Sequence, residues 1–274
     1  MRRSHRTLIV KWVLLVLIGV SMLLPLAWMA LCGFKPDLEV LKTPFQFLPQ
    51  VWHPENYTGM LHDSEYMTAV GMTFLGTLIF TALSLTVNSM SAYVFARLEF
   101  RLKRFFWVFC ILPMFVPGMS IMITSFVVVS KLHMLNTLAV LIIPGVAGAT
   151  QMFFMRQFFL AMPMAVEDAA RLDGCSRWKI FYRIFIPNSA AVFVVVGMMS
   201  YMAYWNAYVW PILTITGGSR LQQIMPVLAN FLDSRGPEYG QLMAASTMAA
   251  LPTVILLLIF QRYIVAGVRI SGIK

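Results

Sequence analysis

Six long stretches of this 274-residue chain contain no Asp, Glu, Lys, Arg or His, and they limit the possible folds more than any other feature. They cover residues 12–34, 66–96, 105–130, 134–155, 184–219 and 239–261. A helix that crosses a bilayer needs about 20 mostly apolar residues, and every stretch is long enough. Hydrophobic residues make up 59% of the chain and its mean hydropathy is +0.77, which exceeds what one water-soluble core can bury. The sequence therefore predicts an all-α integral membrane protein with six transmembrane helices.

The distribution of basic residues predicts the orientation. Sixteen of the 21 Lys and Arg residues lie in the polar segments that share one side of a six-span chain, at 1–11, 97–104, 156–183 and 262–274. Because cytoplasmic segments carry an excess of Lys and Arg, we expect these segments, and with them both termini, to be cytoplasmic. The net charge of +10 then reflects topology. We expect a multi-pass protein in contact with membrane lipid, with no nucleic acid as a partner.

Prolines and glycines predict where two of the spans bend. They lie in two groups, Pro113, Pro117 and Gly118 in span three and Pro144, Gly145 and Gly148 in span four. Both spans are expected to be bent or locally unwound there. Irregular backbone at membrane depth is covered by protein or lines a wet cavity, so the bends either aid packing or mark the walls of a pathway. The four prolines of the outer loop 35–65 exclude a single helix in that loop.

The chain offers little of the chemistry that enzymes use. It has no glycine-rich lysine loop for nucleotide phosphates, so ATP is not expected to bind to this chain. Its histidines and cysteines have neither metal-ligand nor disulfide spacing, at His5, His53, His62, His133, Cys32, Cys110 and Cys175. Four residues of the first outer loop either cluster or are separate solvated side chains, namely His53, Glu55, His62 and Asp63. No catalytic residue, metal site or cofactor of this chain is predicted.

The six stretches also lack the ionisable groups from which proton-coupled transporters are commonly built. This disfavours a self-powered secondary transporter, although a sodium site made of carbonyl and hydroxyl groups stays open. If the protein moves a solute uphill, we expect the energy to come from another subunit.

One cytoplasmic segment is far more polar than the rest of the chain. Residues 167–187 read EDAARLDGCSRWKIFYRIFIP, and seven of these 21 residues are charged. Pro163 suits the first turn of a helix, and Gly174 suits a left-handed conformation just after a helix end. The sequence therefore predicts a short helix over residues 163–173.

A second short helix is expected to follow. Ser176 is placed to cap it, and it should run to about Arg183 before Pro187 opens span five. Within the first helix, Glu167 and Arg171 are spaced to pair at i,i+4. The same spacing gives that helix a face of small residues, Ala165, Val166, Ala169 and Ala170.

This segment resembles the signature of the permease subunits of bacterial ATP-binding-cassette importers, which is Glu-Ala-Ala, three residues, Gly, nine residues and Ile-x-Leu-Pro. Here the same spacing joins Asp168-Ala169-Ala170, Gly174 and Ile184-Phe185-Ile186-Pro187, with Asp for Glu and Ile for Leu as departures. The resemblance covers nearly the whole chain and is closest to the second permease of maltose-type and glycerol-phosphate-type importers. The supporting stretches are ENY at 55–57, SAYVFARLEF at 91–100, EDAARLDG at 167–174, WNAYVWP at 205–211 and QRYIVAGV at 261–268.

The resemblance implies one transmembrane domain over residues 1–274, with spans at about 12–34, 66–96, 105–130, 134–155, 187–213 and 239–261. It also implies that the loop at about 161–186, between spans four and five, forms a coupling helix that docks on an ATPase subunit. The residues carried over to this coupling role are Glu167, Asp168, Ala169, Ala170, Gly174, Trp178, Phe181, Ile184 and Pro187. The loop 214–238 is implied to reach a solute-binding protein, and the tail 267–274 to lie toward the ATPase interface.

The implied function is carbohydrate import across the cytoplasmic (inner) membrane of a bacterium, by a subunit that is not itself an enzyme. The implied partners are a second permease, two ATPase subunits that bind ATP and Mg, and an extracytoplasmic solute-binding protein. Amides and aromatic faces suit sugars but also join membrane helices, and on that ground six residues are candidates for the solute path: Asn88, Gln151, Tyr204, Trp205, Asn206 and Tyr208. The alternatives are an importer of glycerol 3-phosphate or another polyol or phosphodiester, a secondary transporter or channel, and a membrane scaffold.

Overall fold

A computed structural model describes residues 5–44, 46–216 and 218–271, and the side chains of residues 7–44, 46–216 and 218–263. These residues form helices and loops with no β-strand among them, which confirms the predicted all-α fold. Arg2 and Arg3 lie outside the described residues, as do the last three residues of the tail 267–274. The cytoplasmic position of the two termini therefore stays a prediction.

Sixteen α-helices make up most of the described chain. They are α1 (His5–Cys32), α2 (Asp37–Val40), α3 (Glu55–His62), α4 (Ser64–Arg97), α5 (Lys103–Ile111), α6 (Gly118–Lys131), α7 (Leu138–Ile142), α8 (Ala149–Ala161), α9 (Met164–Leu172), α10 (Arg177–Ile180), α11 (Ile186–Asn188), α12 (Ala190–Trp205), α13 (Val209–Thr214), α14 (Ile224–Ala229), α15 (Phe231–Arg235) and α16 (Tyr239–Ser271). Shorter turns join some of them, of the 3₁₀ type at Leu112–Phe115 and Ile143–Gly145 and of the π type at Phe181–Phe185.

Three of these helices are long and apolar enough to cross a membrane, over Thr7–Cys32, Ser64–Arg97 and Tyr239–Tyr263. Three further pairs are long enough only when taken together, and each pair is bent: Lys103–Phe115 with Gly118–Lys131 by 109°, Leu138–Gly145 with Ala149–Ala161 by 44°, and Arg177–Asn188 with Ala190–Trp205 by 83°. The described chain thus has three spans, or up to six if each bent pair is one span. The count of six stays a prediction.

The first two bends fall where proline and glycine predict them. The 3₁₀ turn Leu112–Phe115 contains Pro113, and α6 begins directly after Pro117. The 3₁₀ turn Ile143–Gly145 precedes α8, whose N-cap is Gly148. Proline lacks the N–H that a continuous helix needs, so the helical ladder is interrupted at these points.

The third bend differs from the sequence prediction. Pro187 was expected to open a span over 187–213, but it lies within α11, and the break comes at Ser189. The π-type turn Phe181–Phe185 directly precedes α11, so the helix is already irregular where the proline ring would press on the preceding turn. At its other end α12 stops at Trp205, so the predicted span is interrupted twice.

The chain divides by its contacts into two compact units, which we call the first unit (Met1–Thr68 with Val227–Pro252) and the second unit (Ala69–Pro226 with Thr253–Lys274). This division describes local packing, and the single domain expected for residues 1–274 stays a prediction.

Polar contacts between segments distant in sequence hold the first unit together. Asp63 pairs with Arg235, and its other carboxylate oxygen accepts the Tyr66 N–H at 2.7 Å and so caps α4. The Tyr66 hydroxyl donates to the Ala245 carbonyl at 2.8 Å. These bonds tie the start of α4 to α15 and α16 within this unit.

In the second unit, the side chain of Asn88 on α4 forms hydrogen bonds to both sides of the helix break that precedes α8. Its amide nitrogen donates to the carbonyls of Ser84 at 2.7 Å and Val146 at 2.9 Å, and its oxygen accepts the Gly148 N–H at 2.9 Å. Asn88 is buried. The two backbone groups freed by the bend therefore find their partners on a neighbouring helix.

Replacing Asn88 with Leu is expected to lower the free energy of unfolding by about 2–4 kcal/mol, because the Val146 carbonyl and the Gly148 N–H each lose their protein partner. Unfolding of the purified protein in nanodiscs measures this. Asn188→Leu is the matched control, since that exposed amide makes one bond, to the Ile184 carbonyl at 2.8 Å. Equal losses of unfolding free energy in the two variants would show that Asn88 does not stabilise the helix break.

The ion pair of the first unit predicts a dependence of stability on pH. Hydrogen bonding to Arg235 holds the pKa of Asp63 below its ordinary value, despite the opposing effect of burial. The stabilisation of the fold by the Asp63–Arg235 pair is therefore complete above the ordinary Asp pKa of about 4. It is lost as the pH falls through the lowered pKa of Asp63.

The unfolding temperature, measured from about pH 7 to about pH 3, should therefore fall more steeply for the wild type than for Asp63→Asn, and the two should converge in acid. Asp233→Asn, at an exposed position of α15, should follow the wild type. Parallel curves for the wild type and Asp63→Asn would show that the pair does not stabilise the fold.

Candidate functional site

The candidate site is the polar segment between α8 and α12, all of it within the second unit. The helix predicted at 163–173 is present as α9, Met164–Leu172, directly after Pro163. Glu167 and Ala170, three residues apart, are buried on its inner face. Its remaining side chains are exposed. The helix therefore has one buried face and one exposed face.

The turn after α9 has the conformation expected from Gly174. This glycine has φ +73°, the Gly174 N–H donates to the Arg171 carbonyl at 3.0 Å, and the Cys175 N–H donates to the Ala170 carbonyl at 3.0 Å. The pattern is a Schellman motif, in which a left-handed residue turns the chain back on the helix end. Ser176 then caps α10, since its hydroxyl accepts the Lys179 N–H at 3.4 Å. Two short helices thus meet at a glycine.

The outward surface of this helix pair combines small and apolar side chains with one acid, Asp168, and three bases, Arg171, Arg177 and Lys179. On α9 the exposed residues are Met164, Ala165, Val166, Asp168, Ala169, Arg171 and Leu172. Leu172 is 90% exposed and Trp178 of α10 is 59% exposed. Trp178 stacks on Tyr182 with ring centroids 6.1 Å apart, and the rest of its side chain is open to solvent. Leu172 and Trp178 make an exposed apolar surface on the helix pair.

Other residues predicted for the same role support the segment from inside. Phe181 is buried, and its ring packs on Tyr93 of α4 with centroids 5.2 Å apart. Ile184 is half-buried, while Pro187 is exposed. The nine residues predicted for coupling therefore divide into an outward set and an inward set.

Glu167 is the buried anchor of α9. Its side chain is 1% exposed, and Oε1 accepts a hydrogen bond from Arg171 Nη2 at 2.6 Å, as the i,i+4 spacing predicts. Its other oxygen, Oε2, lies 3.7 Å from Nε of Arg97, the last residue of α4. A buried carboxylate needs such partners, because burial of an unpaired charge is costly.

Arg97 joins three helices at this point. Its side chain is 3% exposed, and Nη2 donates to the carbonyls of Phe159 at 2.6 Å and Met162 at 2.5 Å, which lie at the end of α8. The guanidinium also lies over the ring of Phe185 at 5.2 Å. The planar, positively charged guanidinium donates to carbonyls that have no partner within the helix at the end of α8. It also faces the Glu167 carboxylate of α9.

Sequence reasoning missed this role of Arg97 and counted it only among the basic residues of loop 97–104. The available signal was its place directly after the uncharged stretch 66–96. A charged group at the edge of a span must find partners there.

The His, Cys, Asp and Glu side chains of the described residues are spread apart. Within the described residues, no three His, Cys, Asp or Glu side chains come together as they would around a metal ion. The four residues that the sequence grouped in the outer loop are also separate: Asp63 pairs with Arg235, His62 Nδ1 contacts the Thr58 carbonyl at 2.7 Å, and His53 lies 3.9 Å from Glu55 at the surface.

The six residues predicted for a solute path differ in burial, and their place in a solute path stays a prediction. All polar atoms of the Asn88 amide are bonded within the protein, as described above. The Gln151 side chain is half-buried and fills the space beside Gly148 where a Cβ would stand. Near the end of α12, Tyr204 and Trp205 are buried, whereas Asn206 and Tyr208 are exposed. The structure also places Gln223, which no sequence pattern singled out, beside Tyr204.

The chain is similar in sequence to known transport proteins. The family described as binding-protein-dependent transport system inner membrane component matches residues 89–270. The arabinooligosaccharides transport system permease protein of Halalkalibacterium halodurans is 28% identical and covers 97% of both chains. The sn-glycerol-3-phosphate transport system permease protein of Yersinia pestis is 26% identical and covers 93% of both chains.

A solved structure shares the fold. It is a chain from the crystal structure of a bacterial ABC transporter involved in the import of the acidic polysaccharide alginate, with a TM-score of 0.81 and 21% sequence identity. The likeness covers 96% of this chain and 99% of that chain, so it extends over the whole helical arrangement.

Replacing Arg97 with Met is expected to destabilise the fold around α9 by about 3–5 kcal/mol, because Glu167 stays buried with its inner partner removed. Hydrogen exchange of the α9 amides and unfolding in nanodiscs measure the effect. Arg177→Met is the matched control at an exposed arginine of α10, and it should change the free energy of unfolding by less than about 0.5 kcal/mol. A loss at Arg177 as large as that at Arg97 would contradict the assignment of Arg97 as the anchor.

Proposed function

The chain belongs to the family of binding-protein-dependent transport system inner membrane components, and we propose that it is the permease subunit of an ATP-driven carbohydrate importer. The observation that carries the proposal is the match of residues 89–270 to that family. The carbohydrate is supported by the arabinooligosaccharides permease and by the alginate importer that shares the fold. Glycerol 3-phosphate or another polyol is the second candidate, supported by the Yersinia relative.

Each bent helix pair is proposed to be one span, so that six spans cross the cytoplasmic membrane. The 16 basic residues on one side support cytoplasmic termini. In this orientation α9, the Gly174 turn and α10 lie in the cytoplasm. The ion pair of Asp63 and Arg235 then lies on the outer side.

The energy for transport is proposed to come from partner subunits. The six uncharged stretches hold no ionisable group for proton coupling, and the chain has no phosphate-binding loop. We assign ATP and Mg to two ATPase subunits, and the translocation path to this chain together with a second permease. A solute-binding protein outside the membrane delivers the solute, and loop 214–238 is the proposed contact for it.

The coupling surface is proposed to be the outward set of residues. Asp168 and Ala169 on α9 and Leu172 beside the Gly174 turn are exposed and suited to dock on an ATPase subunit. The inward set keeps this surface in place, because Glu167 and Ala170 bury one face of α9 and Phe181 packs on α4. Movement imposed on α9 would then reach α4 through Arg97 and Phe181.

Gly174 provides a test of this coupling. No atom lies within 4 Å of the Cβ that a substitution would add, so a larger residue fits, but φ +73° strains any β-branched side chain. Gly174→Val should therefore disturb the turn between α9 and α10. We expect its ATP-driven uptake to fall about tenfold or more while ATP hydrolysis continues, since a left-handed β-branched residue costs about 1–2 kcal/mol.

Gly174→Asn is the matched control, because asparagine tolerates the left-handed conformation and should retain most of the uptake. Both variants are measured in proteoliposomes with the ATPase, the second permease and the binding protein, with uptake and phosphate release followed together. Coupled transport in Gly174→Val at the wild-type level would show that this turn is not the docking element.

The same proteoliposomes test the function itself. Uptake that proceeds without the ATPase would favour a secondary transporter or channel. No uptake with every partner present would favour a membrane scaffold.

A further inference from the structure

Two buried side chains of the second unit have polar atoms that no protein group satisfies. The Tyr204 hydroxyl and both amide atoms of Gln223 lack a hydrogen-bond partner, and these are three of the eight such side-chain atoms in the part of the chain that the structure describes. Tyr204 is 4% exposed and Gln223 is 2% exposed. The Tyr204 hydroxyl and the Gln223 side chain are in weak hydrogen-bonding contact with each other, too poor in geometry to satisfy either group. Three of the eight atoms therefore lie on two neighbouring side chains.

The Tyr204 side chain is held firmly in this place. A Cβ on Gly76 of α4 would collide with the Tyr204 hydroxyl, so the glycine makes room for it. The ring packs on Phe80 with centroids 5.2 Å apart. The position of the hydroxyl is thus fixed by its neighbours on α4.

The backbone beside Gln223 is fixed as well. The next residue, Ile224, donates its N–H to the Thr73 hydroxyl at 2.8 Å, and that hydroxyl donates to the Ala69 carbonyl at 2.7 Å. Two hydrogen bonds therefore hold the backbone beside Gln223 against α4. Its unpaired amide is not explained by a mobile loop.

Such an arrangement lowers stability, because a buried polar group without a partner is less favourable than an apolar group of the same shape. Phenylalanine and methionine would fill the same space without that loss. Three adjacent unpaired atoms in a fixed setting are therefore better explained by a ligand than by packing.

We propose that Tyr204 and Gln223 form a subsite that binds a hydroxyl group of the neutral carbohydrate in transit. A phenol and an amide together offer donors and acceptors, which matches a hydroxyl that both donates and accepts. The aromatic faces of Phe80 and Tyr204 suit the apolar face of a sugar ring. The groups named here carry no charge, which favours a neutral sugar over a phosphate.

The subsite is closed in this structure, since both side chains are buried against each other. The solute hydroxyl takes the place of the Tyr204–Gln223 contact when the two side chains separate during transport, and the contact closes again after release. The proposal rests on the proposed function, because it assigns the route of that same solute.

The test uses the complete complex in proteoliposomes, with arabinotriose and glycerol 3-phosphate as probes, each with its cognate binding protein. Tyr204→Phe and Gln223→Met remove the polar atoms and keep the shape. At saturating binding protein, arabinotriose uptake per ATP should fall about tenfold, the effect of one lost hydrogen bond, while stimulated ATP hydrolysis stays within about twofold of the wild type. The unfolding temperature should change little, because the weak Tyr204–Gln223 contact is the interaction that each variant removes.

Tyr201→Phe is the matched control on the same helix. Its hydroxyl lies 3.3 Å from the Thr253 hydroxyl, so the variant loses an internal contact and should keep the wild-type uptake per ATP. Unchanged uptake per ATP in both Tyr204→Phe and Gln223→Met would overturn the subsite, and so would a lowered unfolding temperature with normal uptake. If the wild type takes up glycerol 3-phosphate and no sugar, the carbohydrate assignment and the subsite both fail. If it takes up arabinotriose and the variants do too, only the subsite fails.

Discussion

Every backbone group that lies in hydrocarbon needs a partner from the protein, and this requirement decides where a membrane helix can break. In the second unit, the 44° bend before α8 lies against Asn88, which takes up the Val146 carbonyl and the Gly148 N–H. An asparagine side chain has a donor and an acceptor and so serves both sides of a break. Proline and glycine permit the bend, and the amide on the neighbouring helix makes it stable.

The same requirement applies at the edge of the proposed membrane region. There the guanidinium of Arg97 has the role that the Asn88 amide has at the bend. Arg97 takes up two carbonyls at the end of α8 and faces Glu167 of α9. A cation is also favoured at the C-terminal end of a helix by the helix dipole. One side chain therefore connects a long helix, the end of a second and a short surface helix, so these elements cannot move independently without separating buried charges.

The parts of the fold that follow from local patterns were predictable from the sequence. Uncharged stretches predict membrane helices, and Pro163, Gly174 and Ser176 predict the ends of α9 and α10, because caps depend on a few neighbouring residues. The contact of Arg97 with Glu167 was not predictable, since it joins residues distant in sequence. The break at Ser189 was missed because the irregular turn before Pro187 has no local signature. The place of Asn88 in the solute path stays a prediction from its residue type, and the partners that occupy its amide were not predictable because they depend on the folded arrangement.

The adjacent acids of α9 illustrate what this arrangement means for genetics. Glu167 points into the protein and Asp168 points away from it. A change at Asp168 alters a surface, and a compensating change in a different polypeptide can restore the fit. A change at Glu167 alters the interior, so its suppressors should arise within this gene, at positions such as Arg97. Neighbouring carboxylates in one motif would thus belong to separate suppressor classes, one intergenic and one intragenic.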